Sequence, residues 1–157
     1  MEYMAKNRGF NLIELVMVIA VLGIIAIIAT VKLPANSIQL GATADQVSGD
    51  IRYTQALSMT LNERYRINFA NNSYSIADAN NNLIKHPAAN ATTISLATGT
   101  SFSKPPTPNC IAFNGIGEPC DCNSGNPLTT ETIQLVSGST TNNITVTQTT
   151  GYVSISP

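Results

Sequence analysis

A few residues in this chain have the type and spacing for chemistry. Cys110, Cys120 and Cys122 lie within thirteen residues of one another. Thiols this close form a disulfide in an oxidising compartment, or hold a metal. Cys110 bonded to Cys122, or to Cys120, closes a small loop around IAFNGIGEP, whereas a direct Cys120–Cys122 bridge is strained. One thiol is then left over. The metal alternative adds His86 or Asp121 to the thiols. Zinc sites repeat a paired spacing, and no second pair exists here, so no metal or other cofactor is expected. His86 precedes Pro87 in a polar stretch and reads as a solvated loop residue, as do Glu118 and Asp121. No nucleophile elbow, Ser–His–Asp order or carboxylate pair in a shared apolar setting is present, and the Gly115–Ile116–Gly117 pair opens no phosphate-binding helix. An enzyme is not expected.

Glu14 is the most informative charge. It stands at the head of an apolar run: from Leu15 to Ala29 every residue is apolar or Gly, and Thr30 and Val31 carry the run to Lys32. That length suits a transmembrane helix, at roughly 1.5 Å per residue across a ~30 Å hydrocarbon core. Lys6 and Arg8 precede it, which keeps the start in the cytoplasm and sends the rest outward. A removable signal peptide and a plain signal anchor both fit this pattern. Neither has a use for a carboxylate, which costs up to ~2.5–3.5 kcal/mol at the bilayer centre and less near an end. A cut between Gly9 and Phe10 creates an α-amino group four residues before Glu14. In apolar surroundings those opposite charges attract far more than in water.

The stretch RGFNLIELVMVIAVLGIIAIIA resembles the class III signal of type IV pilins and type II secretion pseudopilins. Resemblance implies that prepilin peptidase cuts after Gly9 and N-methylates Phe10. It also implies that Glu14 neutralises the N-terminus of a neighbouring subunit during assembly. Asn11 stands where the family more often has Thr.

The elements that must position these residues follow. Charged residues are only 11% of 157, against roughly 25% on average. Formal net charge is −1 and there is no Trp. This excludes a basic nucleic-acid binder, an acidic disordered tail and a large multidomain enzyme. The apolar residues crowd into the N-terminal stretch, and the remainder is rich in Asn, Thr and Ser. Leu40, Ala44, Val47, Ile51, Thr54, Leu57 or Ser58, and Leu61 recur at steps of three and four, which predicts one apolar helix face. Gln39, Asp45, Gln46, Asp50, Arg52 and Asn62 take the other side. The spacing allows one helix from Phe10 to about Glu63, roughly 80 Å long and kinked at Pro34, or two helices broken there.

From Arg66 the period shortens. Strands are expected at 66–69, 74–76, 83–84, 93–96, 111–113, 132–136, 144–147 and 152–155, with a turn at Asn71–Asn72 and loops at 103–109 and 118–127. The expected fold is α+β: a long N-terminal, partly transmembrane helix packed on an antiparallel β-sheet head. Residues 1–9 form a leader, 10–33 the membrane and filament-core helix, 34–65 its amphipathic second half and 66–157 a periplasmic head.

Within the pilin-like proteins the layout looks most like the GspH and FimT type, through DIRYTQALSMTLNERYRINF, IAFNGIGEP and NNITVTQTTGYVSI. That likeness implies a minor pilin or pseudopilin, a structural subunit of a type IV pilus or type II secretion pseudopilus. Its partners would be prepilin peptidase, other pilins and the inner membrane, which it crosses once before entering the filament. An alternative is a DNA-uptake or adhesion subunit at a pilus tip. Some FimT-type proteins bind DNA through basic residues near the last strands. Here residues 109–157 contain no Lys or Arg, which argues against a nucleic-acid partner because phosphate attraction needs such cations.

Overall fold

The structure is a computed structural model that describes residues 11–29 and 35–157, and of residues 27–29 and 35 the backbone alone. It falls into two units, Met1–Pro34 and Ala35–Pro157. Gly9, Phe10 and Pro34 lie outside the described residues, and so does the choice between one kinked helix and two.

In the first unit a single helix, α1 (Leu12–Ala29), follows Asn11. The Asn11 carbonyl accepts from the Glu14 and Leu15 amides at 2.9 and 3.2 Å. Its side-chain oxygen faces the Ile13 amide at 3.5 Å. Asn11 therefore stands where a capping residue stands, a role Asn and Thr share.

The second unit begins with α2 (Ala35–Leu61). Leu40, Ala44, Val47, Ile51, Thr54 and Ser58 are all fully buried, in alternating steps of four and three. The buried hydroxyls do not stay unpaired. Thr54 donates to the Asp50 carbonyl at 2.8 Å and Ser58 to the Thr54 carbonyl at 3.1 Å, so this seam buries no orphan donor. Asn62 takes a left-handed φ of 51°, and the Glu63 amide reaches back to the Ser58 carbonyl at 3.2 Å. This closure ends the helix. Leu61, expected on the apolar face, is instead 52% exposed: the chain turns off just there, and the burial ends one step earlier, at Ser58.

Nine strands follow among the described residues: β1 (Tyr65–Phe69), β2 (Ser73–Ala77), β3 (Thr93–Ser95), β4 (Thr100–Lys104), β5 (Cys110–Phe113), β6 (Pro119–Cys120), β7 (Glu131–Ser137), β8 (Thr140–Val146) and β9 (Val153–Ser156). They divide into two antiparallel sheets, ordered β3-β2-β1-β5-β6 and β4-β7-β8-β9. Alternation sets the inner faces. Tyr65, Ile67 and Phe69 of β1, Tyr74 and Ile76 of β2 and Ile111 and Phe113 of β5 are buried in the first sheet. Ile133 and Leu135 of β7, Ile144 and Val146 of β8 and Val153 of β9 are buried in the second. Together with the α2 seam most of these make one core, with helix and sheets as its walls.

Three expectations need correction. Leu83–Ile84 forms no strand, only a bridge from Leu83 to Ala77. The loops expected at 103–109 and 118–127 give up residues to strands. β4 runs to Lys104, its register slipping between Phe102 and Lys104 as it pairs with β7. β6 takes Pro119 and Cys120 against Ala112 and Phe113.

The end of α2 is fixed by two turns. Gln55 Nε2 donates to the Gly117 carbonyl at 2.7 Å and to the Thr150 carbonyl at 3.0 Å. It thereby ties the β5–β6 turn to the β8–β9 turn. Gly151 has φ +63°, and a Cβ there would lie 2.4 Å from Gln55 Nε2 and 2.7 Å from the Gly117 carbonyl oxygen. Gly117, at φ +87°, faces Met59 Sδ in the same way at 2.8 Å. The glycines in IAFNGIGEP and TTGY thus have a steric reason. Gly151→Ala is expected to cost about 2 kcal/mol, from left-handed strain plus a displaced Gln55 clamp. A urea midpoint equal to that of the unchanged chain would refute it.

Candidate functional site

Of the residues singled out for processing and assembly, Glu14 alone is described. It is the acidic residue in the first turn of α1, three positions after the capping Asn11. A carboxylate there meets the positive end of the helix dipole, worth about 0.3–1 kcal/mol. Beyond it α1 is bare. Eleven large apolar side chains between Leu12 and Ile25 are exposed, from 46% at Val16 to 77% at Leu12. They point to every side of the helix, so no polar face is left to meet water. Each such side chain gains about 1.5–3 kcal/mol when buried, and a helix apolar all round is normally covered. Among the described residues no helix is long and apolar enough to cross a membrane. The α1 rod covers 18 residues, about 27 Å at 1.5 Å per residue. The span expected through Lys32 runs on into residues outside the description.

In the head the three cysteines are distributed as follows. Cys110, on β5, is bonded to Cys122 with S–S 2.12 Å and Cα–Cα 6.4 Å. Cys120 is a buried free thiol, packed with Ala112 and the disulfide in a small cluster of its own. Burial pushes the Cys120 thiol up from its ordinary value, which disfavours the reactive thiolate. Among the described residues no group of three or more His, Cys, Asp or Glu is placed to hold a metal. Asp121 instead accepts from the Asn123 and Ser124 amides at 2.9 and 2.7 Å. Those bonds hold its carboxyl below the usual carboxylate range.

The head also contains a polar cluster that sequence reasoning missed. Asp50, expected on the solvated side of α2, is buried, and so is His86, expected to be a solvated loop residue. Asp50 Oδ1 lies 2.8 Å from His86 Nε2, and Asp50 Oδ2 accepts from the Tyr74 hydroxyl at 2.5 Å. The Ala89 amide donates to His86 Nδ1 at 3.0 Å, which assigns the ring proton to Nε2 and directs it at Asp50. Gln46 Nε2 donates to the Tyr74 oxygen at 3.3 Å. The Tyr53 ring meets the imidazole edge-on, 5.9 Å between centroids. Burial, and then the bond to Asp50, pushes the Tyr74 hydroxyl far above its ordinary value, so it stays a donor. The cluster joins α2, β2 and the loop after Ile84. It has no nucleophile; its chemistry is that of a latch. One signal for it was present in the sequence. Asp50 follows Val47 by three and precedes Thr54 by four, a helical spacing that places it at the rim of the apolar face.

No protein-family model matches the chain, and no curated protein matches it in sequence. Solved structures do. The type IV minor pilin FimU of Pseudomonas aeruginosa, in a crystal form of space group P21, superposes with a TM-score of 0.55 and 13% identity, over 77% of this chain and 90% of that one. A second crystal form, P65, gives a TM-score of 0.53 and 13% identity over 75% and 93%. At that identity the likeness speaks for the fold: a helix packed on antiparallel sheets, type IV pilin-like and α+β.

Proposed function

We propose that the chain is a minor pilin or pseudopilin, a structural subunit of a type IV pilus or a type II secretion pseudopilus. In this reading prepilin peptidase cuts between Gly9 and Phe10 and methylates Phe10. Residues 10–33 then hold the protein in the bacterial inner membrane with its head in the periplasm, and later pack against other pilins in the filament core. The observation that carries the reading is α1: a helix bare of polar cover, with one carboxylate in its first turn, on a chain whose head has the pilin-like fold. Lipid and neighbouring pilin helices are the surroundings such a helix requires. Nucleic acid is not proposed as a partner. Besides the lack of cations after Asn109, Arg52 donates to the Val153 carbonyl at 2.9 Å and Arg66 to the Ala79 carbonyl, so both are engaged within the head. No catalytic activity is proposed.

The test is the mature N-terminus. Co-expressed with a prepilin peptidase, the chain is expected to begin at Phe10 and to carry one added methyl group by intact-mass measurement. Gly9→Val is expected to leave the leader uncut. Release of a head that begins after Lys32 would overturn the reading in favour of a removable signal.

A further inference from the structure

The β5–β6 turn holds the single Asn-Gly pair of the chain, Asn114–Gly115. At such a pair the backbone can attack its own side chain, because glycine has no Cβ to shield its nitrogen. The turn arranges the other groups that this attack uses. Asn114 Oδ1 accepts from the Ile116 amide at 3.1 Å and from the Glu118 amide at 2.9 Å. Asn114 Nδ2 donates to Glu118 Oε2 at 3.0 Å, which fixes the side-chain oxygen and nitrogen on their own sides. The main chain is pinned as well: the Asn114 amide donates to the Glu118 carbonyl at 3.0 Å, and the Gly117 amide to the Asn114 carbonyl at 2.9 Å. Between these bonds the Gly115 amide donates to no group among the described residues. Asn114, Gly115 and Glu118 are half-buried, so water reaches the turn.

We propose that Asn114 is a site of self-modification, converted to aspartate and isoaspartate by attack of the Gly115 nitrogen. That nitrogen gives its proton to solvent and bonds to Asn114 Cγ, which leaves a negative charge on Oδ1. The Cγ–Nδ2 bond then breaks, and Nδ2 takes a proton from solvent and departs as ammonia. Water opens the resulting five-membered imide at either carbonyl and gives aspartate or isoaspartate. Water is the co-reactant, and nothing is oxidised or reduced. The Ile116 and Glu118 amides form the oxyanion hole for this step. They favour the reaction over the starting amide, because a charged acceptor gains roughly twice what a neutral one does. Glu118 is a positioning residue that keeps Oδ1 turned toward those amides. The aspartate product sets a second carboxylate beside Glu118, where like charges repel, and isoaspartate lengthens the backbone. Either loosens the turn whose Gly117 carbonyl Gln55 holds. The inference is independent of cleavage at Gly9.

Incubation of the full chain in detergent micelles at mildly alkaline pH tests it. Tandem mass spectrometry of its peptides locates the amide-to-acid mass gain, and isoaspartyl methyltransferase labelling counts the isoaspartate. Asn114 is expected to convert about tenfold faster in the folded chain than in guanidinium chloride, a factor within reach of one charged hydrogen bond. Glu118→Ala is expected to bring the folded rate down to the denatured one. Glu118→Gln keeps an acceptor for Nδ2 and is expected to stay within about threefold of the unchanged chain. A folded rate equal to or below the denatured rate would overturn the proposal. So would conversion spread evenly over other asparagines, or a Glu118→Ala rate equal to that of the unchanged chain.

Discussion

Asp50→Ala is expected to destabilise the head by on the order of 3 kcal/mol and to lower its melting temperature by roughly 10 °C. One carboxylate accepts from both His86 Nε2 and the Tyr74 hydroxyl. Removing it strands two buried donors at once, each at about 1–3 kcal/mol. His86→Ala is expected to cost less, because Asp50 then keeps Tyr74 as its partner. In a double-mutant cycle the two changes should be clearly non-additive, since they share one network. Thermal unfolding followed by circular dichroism checks all three variants. Additive losses, or an Asp50→Ala variant as stable as the unchanged chain, would show that the cluster is not a unit.

Glu14→Val is expected to be cleaved and methylated normally, yet to reach the sheared filament fraction at a tenth of the usual level or less. The carboxylate is disfavoured in apolar surroundings by up to ~2.5–3.5 kcal/mol, far more than the helix dipole returns in the first turn. On the pilin reading the deficit is met by the α-amino group of a neighbouring Phe10, in a setting where a charge pair is strong. Glu14→Gln separates the two roles. It keeps the length and the polar head of the first turn and removes the charge. If the charge is what matters, Gln behaves like Val; normal assembly of the Gln variant would dismiss the ion pair. Immunoblots of the membrane and filament fractions give the readout.

Much of the head was legible because its alternation is strong. Ile67, Ile76, Ile111, Ile133 and Ile144 each sit on the buried face of a strand, and in each case the period of two was enough. The missed strands lacked that signal. Thr100–Lys104 offers one apolar side chain, Phe102, among polar residues. Pro119–Cys120 is two residues long. Both exist because a neighbouring strand presents a partner, and no local sequence window contains that neighbour. The same holds for the latch. Asp50 and His86 are separated by 36 positions, and each alone has an ordinary solvated reading. Tertiary contact turned a helix charge and a loop imidazole into a buried pair. Cys110, Cys120 and Cys122 left two possible bridges open in sequence, because their choice depends on where β5 and β6 place each sulfur.

The α2 seam also governs the order in which this molecule can be completed. Arg52 bonds a carbonyl 101 residues further on, and Gln55 one that is 95 further on. The walls that cover Leu40 to Ser58 include β7, β8 and β9, the last strands to be made. At a synthesis rate of about 5–20 residues per second, the helix waits several seconds, covered only in part by β1 and β5, for β8 and β9. Such long-range closure is slow and leaves apolar surface open meanwhile. A chain cut short before β8 therefore loses more than an edge: α2 keeps β1, β5 and β7 but never gains the cover that β8 and β9 give it.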